Sequence, residues 1–595
     1  MIKLPVRPTL QRLTSAISLP RAHGSTPVRL LSTAAKRPTS HLKTVGLAGA
    51  AAVGAFGLMA LGSPNARLEA ADNMGTDRAS LIEHADPSVA FENKDVSDLL
   101  LSLFVYKLCS LTFLTDASPA ILSILETLHL STPAYWVIKR TIFKHFCGGE
   151  DREDVVPFMR DLQKANIGSI LDFSIEADLP AEGDTRSAEE VRADANAHAD
   201  FVCDQYRQAV TTASALPGSF IAVKVTGLVN PQLLEKATSI LHFMRAQFIQ
   251  ADDNSDGLLT TTQFRQIAER LPGATPAQVD AAVSRADPKR SGQVDWISFL
   301  ASLSMVKPDS RALYLGEDRH YNAESADCHW DVGFFSPEER ADLDQLMNRL
   351  SLISKDAVKT GVRLMIDAEQ SYFQACIDLV ANELSQHYNK LGSTPVIYNT
   401  YQMYLKESYE KMRNDLIHAK RSGWSFGAKI VRGAYMVSER KRAADLGVPD
   451  IIQDTIDDTH CAYNGAVDLL LGELAANSKD SAGLTFMVAS HNKDSVVRTC
   501  RQMEQLGLKH DAGNVLFGQL MGMHDTTTYA LAKQGFGAFK YIPYGPVREV
   551  MPYLIRRAQE NSSVMAGASQ EQAALTGELR RRLLPGQGKP LPVSN

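Results

Sequence analysis

The chain has no Cys-x-x-Cys pair, and its seven cysteines (109, 147, 203, 328, 376, 461 and 500) are scattered and odd in number. Neither a disulfide framework nor a zinc ribbon is indicated, and a reducing compartment suits such a set. Phosphate loops are also missing. No Gly-x-Gly-x-x-Gly follows a strand-like run, Gly535-Phe536-Gly537 lacks the third glycine, and there is no Walker lysine loop. With 62 basic against 68 acidic residues the formal charge is -6, which gives no reason to expect a nucleic-acid partner. Apolar residues at 44% and charged ones at 22% exclude a disordered or collagen-like chain, and 595 residues are ample for a large core. Only one marginal apolar run occurs, which excludes a polytopic membrane protein.

Acidic residues are absent until Glu69. Before it stand Lys3, Arg7, Arg12, Arg21, Arg29, Lys36, Arg37 and Lys43 among many Ser and Thr, spaced singly as in a mitochondrial transit peptide and not clustered as in a nucleic-acid arm. Arg29-Leu30-Leu31-Ser32-Thr33 resembles a processing site. Without those eight basic residues the remaining chain is distinctly acidic. Val45 to Gly62 is an uncharged run near the lower length limit for a span, but Ala and Gly dominate it. It reads either as a single inner-membrane anchor or as a spacer continuing the targeting segment.

From residue 151 onward short β-branched runs alternate with longer helical patterns, which predicts βα units and a parallel sheet. Eight strand candidates follow: 169–173, 219–225, 362–367, 396–402, 428–432, 484–490, 514–519 and 536–541. Eight strands close a (β/α)8 barrel. Asp172, Lys224, Asp367, Gln402, Arg432, His491, Gln519 and Tyr541 each stand at or just past the end of one of them. Polar residues begin wherever apolar runs stop, but eight with this mix of charge point to the rim where such barrels build their sites.

Between the second and third candidates, a helix leads into Asp252-Asp-Asn254-Ser-Asp256-Gly257-Leu258-Leu259, with Gln263 at the twelfth position. The spacing resembles an EF-hand loop, and Asp252, Asn254, Asp256, Leu258 and Gln263 are the candidate ligands. Gln263 offers one neutral oxygen where the motif uses a bidentate glutamate, so calcium binding is expected to be weak or absent. A second loop from Asp287, with Gly292 at the turn, has Lys289 and Ser298 in ligand positions and reads as a structural partner.

Near the C-terminus, Tyr553, Arg556, Arg557 and Glu560 fall at i, i+3, i+4 and i+7 of a helix expected to carry Pro552 in its first turn. Two guanidinium forks side by side suit a carboxylate. This run, together with Val362-Arg-Leu-Met-Ile-Asp367-Ala368-Glu369, Lys429-Ile-Val-Arg432-Gly433-Ala434-Tyr435, Ser490-His491-Asn492 and Tyr541-Ile-Pro-Tyr-Gly-Pro, resembles the flavin-dependent proline dehydrogenases of the eukaryotic mitochondrial type over about residues 130 to 565.

The resemblance implies a distorted (β/α)8 TIM-type barrel with non-covalent FAD at its rim. It implies oxidation of L-proline to Δ1-pyrroline-5-carboxylate, with electrons passed to ubiquinone on the matrix side of the inner mitochondrial membrane. Carried over residue by residue, Lys224, Arg556 and Arg557 match the carboxylate contacts, Tyr435, Leu520, Tyr541 and Tyr553 enclose the ring, and Glu560 supports the arginines. Asp367, with Lys429 and Tyr541, is the expected catalytic group. Ala368, Gln402, Lys429, Arg432, Gly433, Ala434, Ser490 and His491 match flavin contacts. Some bacterial members have arginine where this chain has Lys429, so a bidentate contact becomes a single ammonium donor. In the related hydroxyproline dehydrogenases the position of Tyr541 tends to be small, and a phenol there favours proline over 4-hydroxyproline. Asp367 and Lys224 are both open as proton acceptors, as is solvent.

The expected organisation is a transit peptide (1–43), an apolar segment and linker (44–87), an N-terminal helical region (88–150), a first part of the barrel (151–233), the EF-hand-like insertion (234–305), the remainder of the barrel with the site (306–565), and a C-terminal helix and tail (566–595). Hydroxyproline dehydrogenase is the alternative within enzymes. A mitochondrial calcium-binding module is the alternative outside them, and it would leave the rim residues and the arginine pair without a task.

Overall fold

The computed structural model describes residues 77–92, 94–111, 113, 117–118, 121, 127, 131–173, 187–271, 273–304, 307–315, 335–477, 483–563 and 565–584. The expected transit peptide and the Val45 to Gly62 run lie outside the described residues.

Eight parallel strands close a barrel. In chain order the strands of the molecule are β1 (Ile167–Phe173), β2 (Phe220–Val223), β3 (Leu258–Thr260), β4 (Gln293–Asp295), β5 (Arg363–Ile366), β6 (Ile397–Gln402), β7 (Phe426–Val431), β8 (Leu484–Ala489), β9 (Val515–Leu520) and β10 (Gly537–Tyr544). The ring runs β1-β2-β5-β6-β7-β8-β9-β10 and back to β1, while β3 and β4 form a separate antiparallel pair. All eight strand candidates therefore enter the barrel. The last extends three residues beyond its predicted end because Ile542 to Tyr544 continue to pair with Leu171 to Phe173, so Tyr541 stands within β10 and not at its tip.

Side chains alternate between the two faces of each strand. Ile170, Phe220, Met365, Tyr398, Met487, Leu516 and Phe539 fill the barrel interior. The opposite faces pack against the outer helices in one continuous core. Those helices carry their own start and stop signals. Capping boxes at Ser187/Glu190, Ser336/Glu339 and Thr455/Asp458 satisfy first-turn N–H groups, and Gly361, Gly423 and Gly447 end helices in left-handed conformation.

Two layers sit on this frame. Helix Val96–Cys109 and the short helices between Ser131 and Phe146 pack Val105, Phe143 and Phe146 against Val547, Val550, Tyr553 and Leu554 of the helix Val547–Ser563. That helix also meets Leu520 and Met523, so it lies across the C-terminal mouth of the barrel. It begins five residues earlier than the sequence suggests: Pro546 supplies the carbonyl that accepts from Val550 N–H, and Pro552 sits inside the helix and not in its first turn. The second layer is the insertion, where Phe248, Phe264, Trp296 and Phe299 form one aromatic cluster around the β3–β4 ladder.

Candidate active site

Two adjacent barrel strands, β2 and β5, and β7 one strand further round each contribute one charged residue. Lys224 follows β2, Asp367 follows β5, and Lys429 lies within β7, all buried. Asp172 of β1 accepts from Lys224 Nζ at 2.8 Å, so the rim aspartate assigned no role in the sequence is the lysine's counter-charge. Asp367 receives Lys429 Nζ on Oδ1 and the Tyr541 hydroxyl on Oδ2, the latter at 2.8 Å. Burial alone would raise the Asp367 pKa, but Lys429, Lys224 and the two hydrogen bonds outweigh it and hold the carboxyl below its usual range.

Two residues on, Glu369 shows the opposite balance. Burial pushes its carboxyl up to about 7 although Thr226 donates to both oxygens, through its N–H at 3.1 Å and its hydroxyl at 2.5 Å. Its backbone carbonyl accepts Gln402 Nε2 at 2.8 Å, and its N–H donates to Gln374. Glu369 thus ties the Val225–Leu228 turn behind Lys224 to the end of β6.

Arg432 follows β7 and is held by neutral groups: His460 Nδ1 at 3.1 Å, Ser490 Oγ at 2.6 Å, Ser495 Oγ at 2.9 Å and the face of Tyr463 at 4.2 Å. A guanidinium stays charged in such company and keeps attraction for an anion. Next to it Gly433 has φ +141°, and a Cβ there would lie 2.2 Å from the Tyr404 ring, so the backbone approaches in a way only glycine allows. Ala434 is exposed, Ala368 and Tyr435 are half-buried, and Tyr435 opens the helix Met436–Leu446. His491 keeps a buried Nδ1 without a partner among the described residues. Burial, His524, Lys540 and Arg557 all hold this imidazole neutral. These features fit a flavin dinucleotide: a cation for its phosphates, a cradle without Cβ, and an unused imidazole nitrogen.

On the helix over the mouth, Arg557 forms a bidentate pair with Glu560, both contacts at 2.5 Å, and lies 5.2 Å from the Tyr553 ring. Tyr553 is buried with Asp172 in its electrostatic surroundings, and Tyr541 feels Tyr553 and Asp172 in turn. Leu520 ends β9, half-buried beside the same helix. Arg556 stands next to Arg557, half-buried.

The family model described as Proline dehydrogenase matches residues 156–570. The chain belongs to the proline dehydrogenase family. It is 32% identical over 552 residues to "Proline dehydrogenase 1, mitochondrial" of Homo sapiens, covering 85% of this chain and 90% of that one. The Drosophila melanogaster protein of the same name is 30% identical over 566 residues, with 84% and 81% covered. "Hydroxyproline dehydrogenase" of Bos taurus is 40% identical, but over 286 residues, 48% of this chain and 61% of that one. A crystal structure of proline utilization A from Bdellovibrio bacteriovorus, inactivated by N-propargylglycine, aligns at a TM-score of 0.49 and 15% identity, with 86% of this chain and 43% of that one covered. The chain spans under half the length of that protein.

Among the described residues no three His, Cys, Asp or Glu side chains are grouped to hold an ion. Asp252 spends its carboxylate on the N–H groups of Asp256 and Gly257, and Asp256 accepts Leu258 N–H while Asn254 Nδ2 donates to it. Gln263 turns its oxygen back onto Thr260 in a capping box and donates its amide to the Ala251 carbonyl. The candidate calcium set of Asp252, Asn254, Asp256, Leu258 and Gln263 is therefore replaced by the loop's own hydrogen bonds.

Sequence reading passed over Glu369, Thr226, Tyr404, His460, Ser495 and His524. Glu369 stands in the quoted Asp-Ala-Glu run, and its proximity to Asp367 was the available signal. The others come from loops and helices whose distance along the chain hides their approach.

Proposed function

We propose that the chain oxidises L-proline to Δ1-pyrroline-5-carboxylate using a non-covalently held FAD, in the mitochondrion, with ubiquinone of the inner membrane as the electron acceptor on the matrix side. The observation that carries the reading is the meeting of the arginine helix with the Lys429–Asp367–Tyr541 cluster at one barrel mouth, in a member of the proline dehydrogenase family.

Arg556, Arg557 and Lys224 hold the substrate carboxylate, and the bidentate Glu560 contact fixes the plane of the Arg557 fork. Tyr435, Leu520, Tyr541 and Tyr553 enclose the ring. Ala368, Gln402, Lys429, Arg432, Gly433, Ala434, Ser490 and His491 hold the cofactor. FAD, when bound, supplies the two-electron acceptor. Lys429 sets positive potential where negative charge develops, and Asp367 orients that ammonium together with the Tyr541 phenol. A carboxylate held below its usual range is a poor base, so the substrate's ammonium proton leaves to solvent and Asp367 keeps its charge.

Hydroxyproline dehydrogenase is the second reading, favoured by the 40% identity over part of the chain. Against it, the Tyr541 phenol is pinned by Asp367 where a 4-hydroxyl would crowd it. Association with the membrane is peripheral or through the single Val45 to Gly62 run; among the described residues no helix is long and apolar enough to cross a membrane. The insertion is an EF-hand-like pair with a structural task.

The deciding experiment is the visible spectrum of purified protein before and after anaerobic addition of L-proline, with trans-4-hydroxy-L-proline in parallel. Bleaching of an oxidised-flavin band by proline is expected. Bleaching by hydroxyproline alone would transfer the assignment to the second reading, and folded protein without a flavin band would end both.

A further inference from the structure

The loop between β9 and the helix Asp525–Lys533 carries Leu520 at one end and His524 near the other, and buried charge clamps it from behind. Lys540, 2% exposed in mid-strand on β10, donates Nζ to the Leu520 carbonyl at 3.1 Å, the Met523 carbonyl at 2.6 Å and Asp525 Oδ1 at 2.7 Å. It neighbours Tyr541, and strand alternation sends the two side chains to opposite faces: the phenol to Asp367, the ammonium to the loop. Three acceptors on one ammonium use all its donors.

The clamp reaches further. Asp525 takes a second ammonium from Lys94, and its N–H donates to Glu571 Oε1 at 3.2 Å, with Thr526 Oγ1 on Glu571 Oε2 at 3.0 Å. Lys94 precedes the helix Val96–Cys109, and Glu571 belongs to the helix Met565–Leu583. Those two helices share a small core of Leu99, Tyr106, Leu575 and Leu579. Under this hold His524 adopts a left-handed backbone, φ 50°, and its ring lies 5.1 Å from that of His491. That conformation is uncommon for a non-glycine residue, and here it sits beside the buried clamp.

We propose that Lys540 is a positioning residue for the site: through this loop it holds Leu520 against the substrate ring and His524 against His491 beside the flavin, and Asp525 extends the hold to both ends of the described chain. The proposal rests on the proline-oxidising reading above.

The test uses the full-length protein with Lys540→Met and Asp525→Asn together, which removes both members of that pair at once and leaves Lys94 with Glu571 as its nearby carboxylate. The readouts are KM and kcat for L-proline, and FAD affinity by quenching of flavin fluorescence. A rise in KM of about tenfold, larger than the fall in kcat, with FAD bound several-fold more weakly, is the expected result. A lower melting temperature with KM and FAD affinity within about twofold of the unaltered protein would mean a merely structural cluster and would overturn the proposal. Should the double variant fail to fold, Lys540→Met alone, which leaves Asp525 its Lys94 partner, decides: a rise in KM of the same kind supports the clamp, and an unchanged KM overturns it. The unaltered protein is measured alongside. No bleaching by proline there refutes the reading of function and this proposal with it, whereas bleaching there beside an unaffected variant refutes this proposal alone.

Discussion

The hydroxyl of Tyr541 donates to Asp367 Oδ2 at 2.8 Å, joining strands three places apart around the barrel while Lys429 occupies the other carboxylate oxygen. One phenol thereby helps to keep Asp367 ionised and, in the proposed function, limits the space beside the substrate ring.

Removing that donor has a signed consequence. Asp367 titrates below its ordinary value of 3.8, so the stability it contributes is present above about pH 4 and is lost as pH falls through the lowered value. Tyr541→Phe removes one of the hydrogen bonds favouring the charged form and moves the acid limb of kcat/KM to higher pH. A pH profile of both proteins checks this, and superimposable acid limbs would count against it. Tyr541→Ser should raise turnover of 4-hydroxyproline relative to proline, read from parallel kinetics.

Substituting either arginine of the helix over the mouth should act on binding. A hydrogen bond to a charged group is worth roughly 1.5 to 3 kcal/mol, so Arg556→Met or Arg557→Met is expected to raise KM for proline by about 10- to 100-fold. Unchanged KM in both variants would remove the carboxylate role.

Glu369 has a raised folded pKa of about 7 against 4.5 unfolded. Between those values the native state holds more protons than the unfolded chain, so stability falls as pH rises, by on the order of 3 kcal/mol across the window. Glu369→Gln is neutral throughout and should flatten that decline. Urea unfolding at pH 5 and pH 8 gives the comparison, with an equal slope in both proteins as the contrary outcome.

Gly433→Ala places a methyl group against the Tyr404 ring at a backbone angle that suits glycine. Strain of about 1 to 3 kcal/mol should fall on the flavin side of the site, and the purified variant should retain less FAD per protein. The flavin-to-protein absorbance ratio measures it directly.

Millimolar calcium should leave the melting temperature of the full chain unchanged to within about 1 °C, because linkage needs a ligand held by the folded state. A saturable upward shift would show that the loop of Asp252 opens its internal hydrogen bonds to an ion.

The barrel was legible in the sequence because strands buried on both faces read as short, mainly apolar runs between longer helical patterns, and each of the eight candidates lies on a barrel strand. Arg432, His491 and the Arg556–Arg557 pair were legible too, since each stands in a short local run with its neighbours. The start of the arginine helix was misread, because Pro552 resembles a first-turn proline until Pro546 is seen to provide the earlier start. By itself the amino-acid order determined the strands, the rim positions and the family. Tertiary structure alone decided which charges pair: Asp172 with Lys224, Lys429 with Asp367, Lys540 with Asp525. Each of these pairs spans 15 to 62 positions along the chain. The charge state of a buried group depends on what lies within a few ångströms of it, and barrel closure sets those distances where local sequence does not.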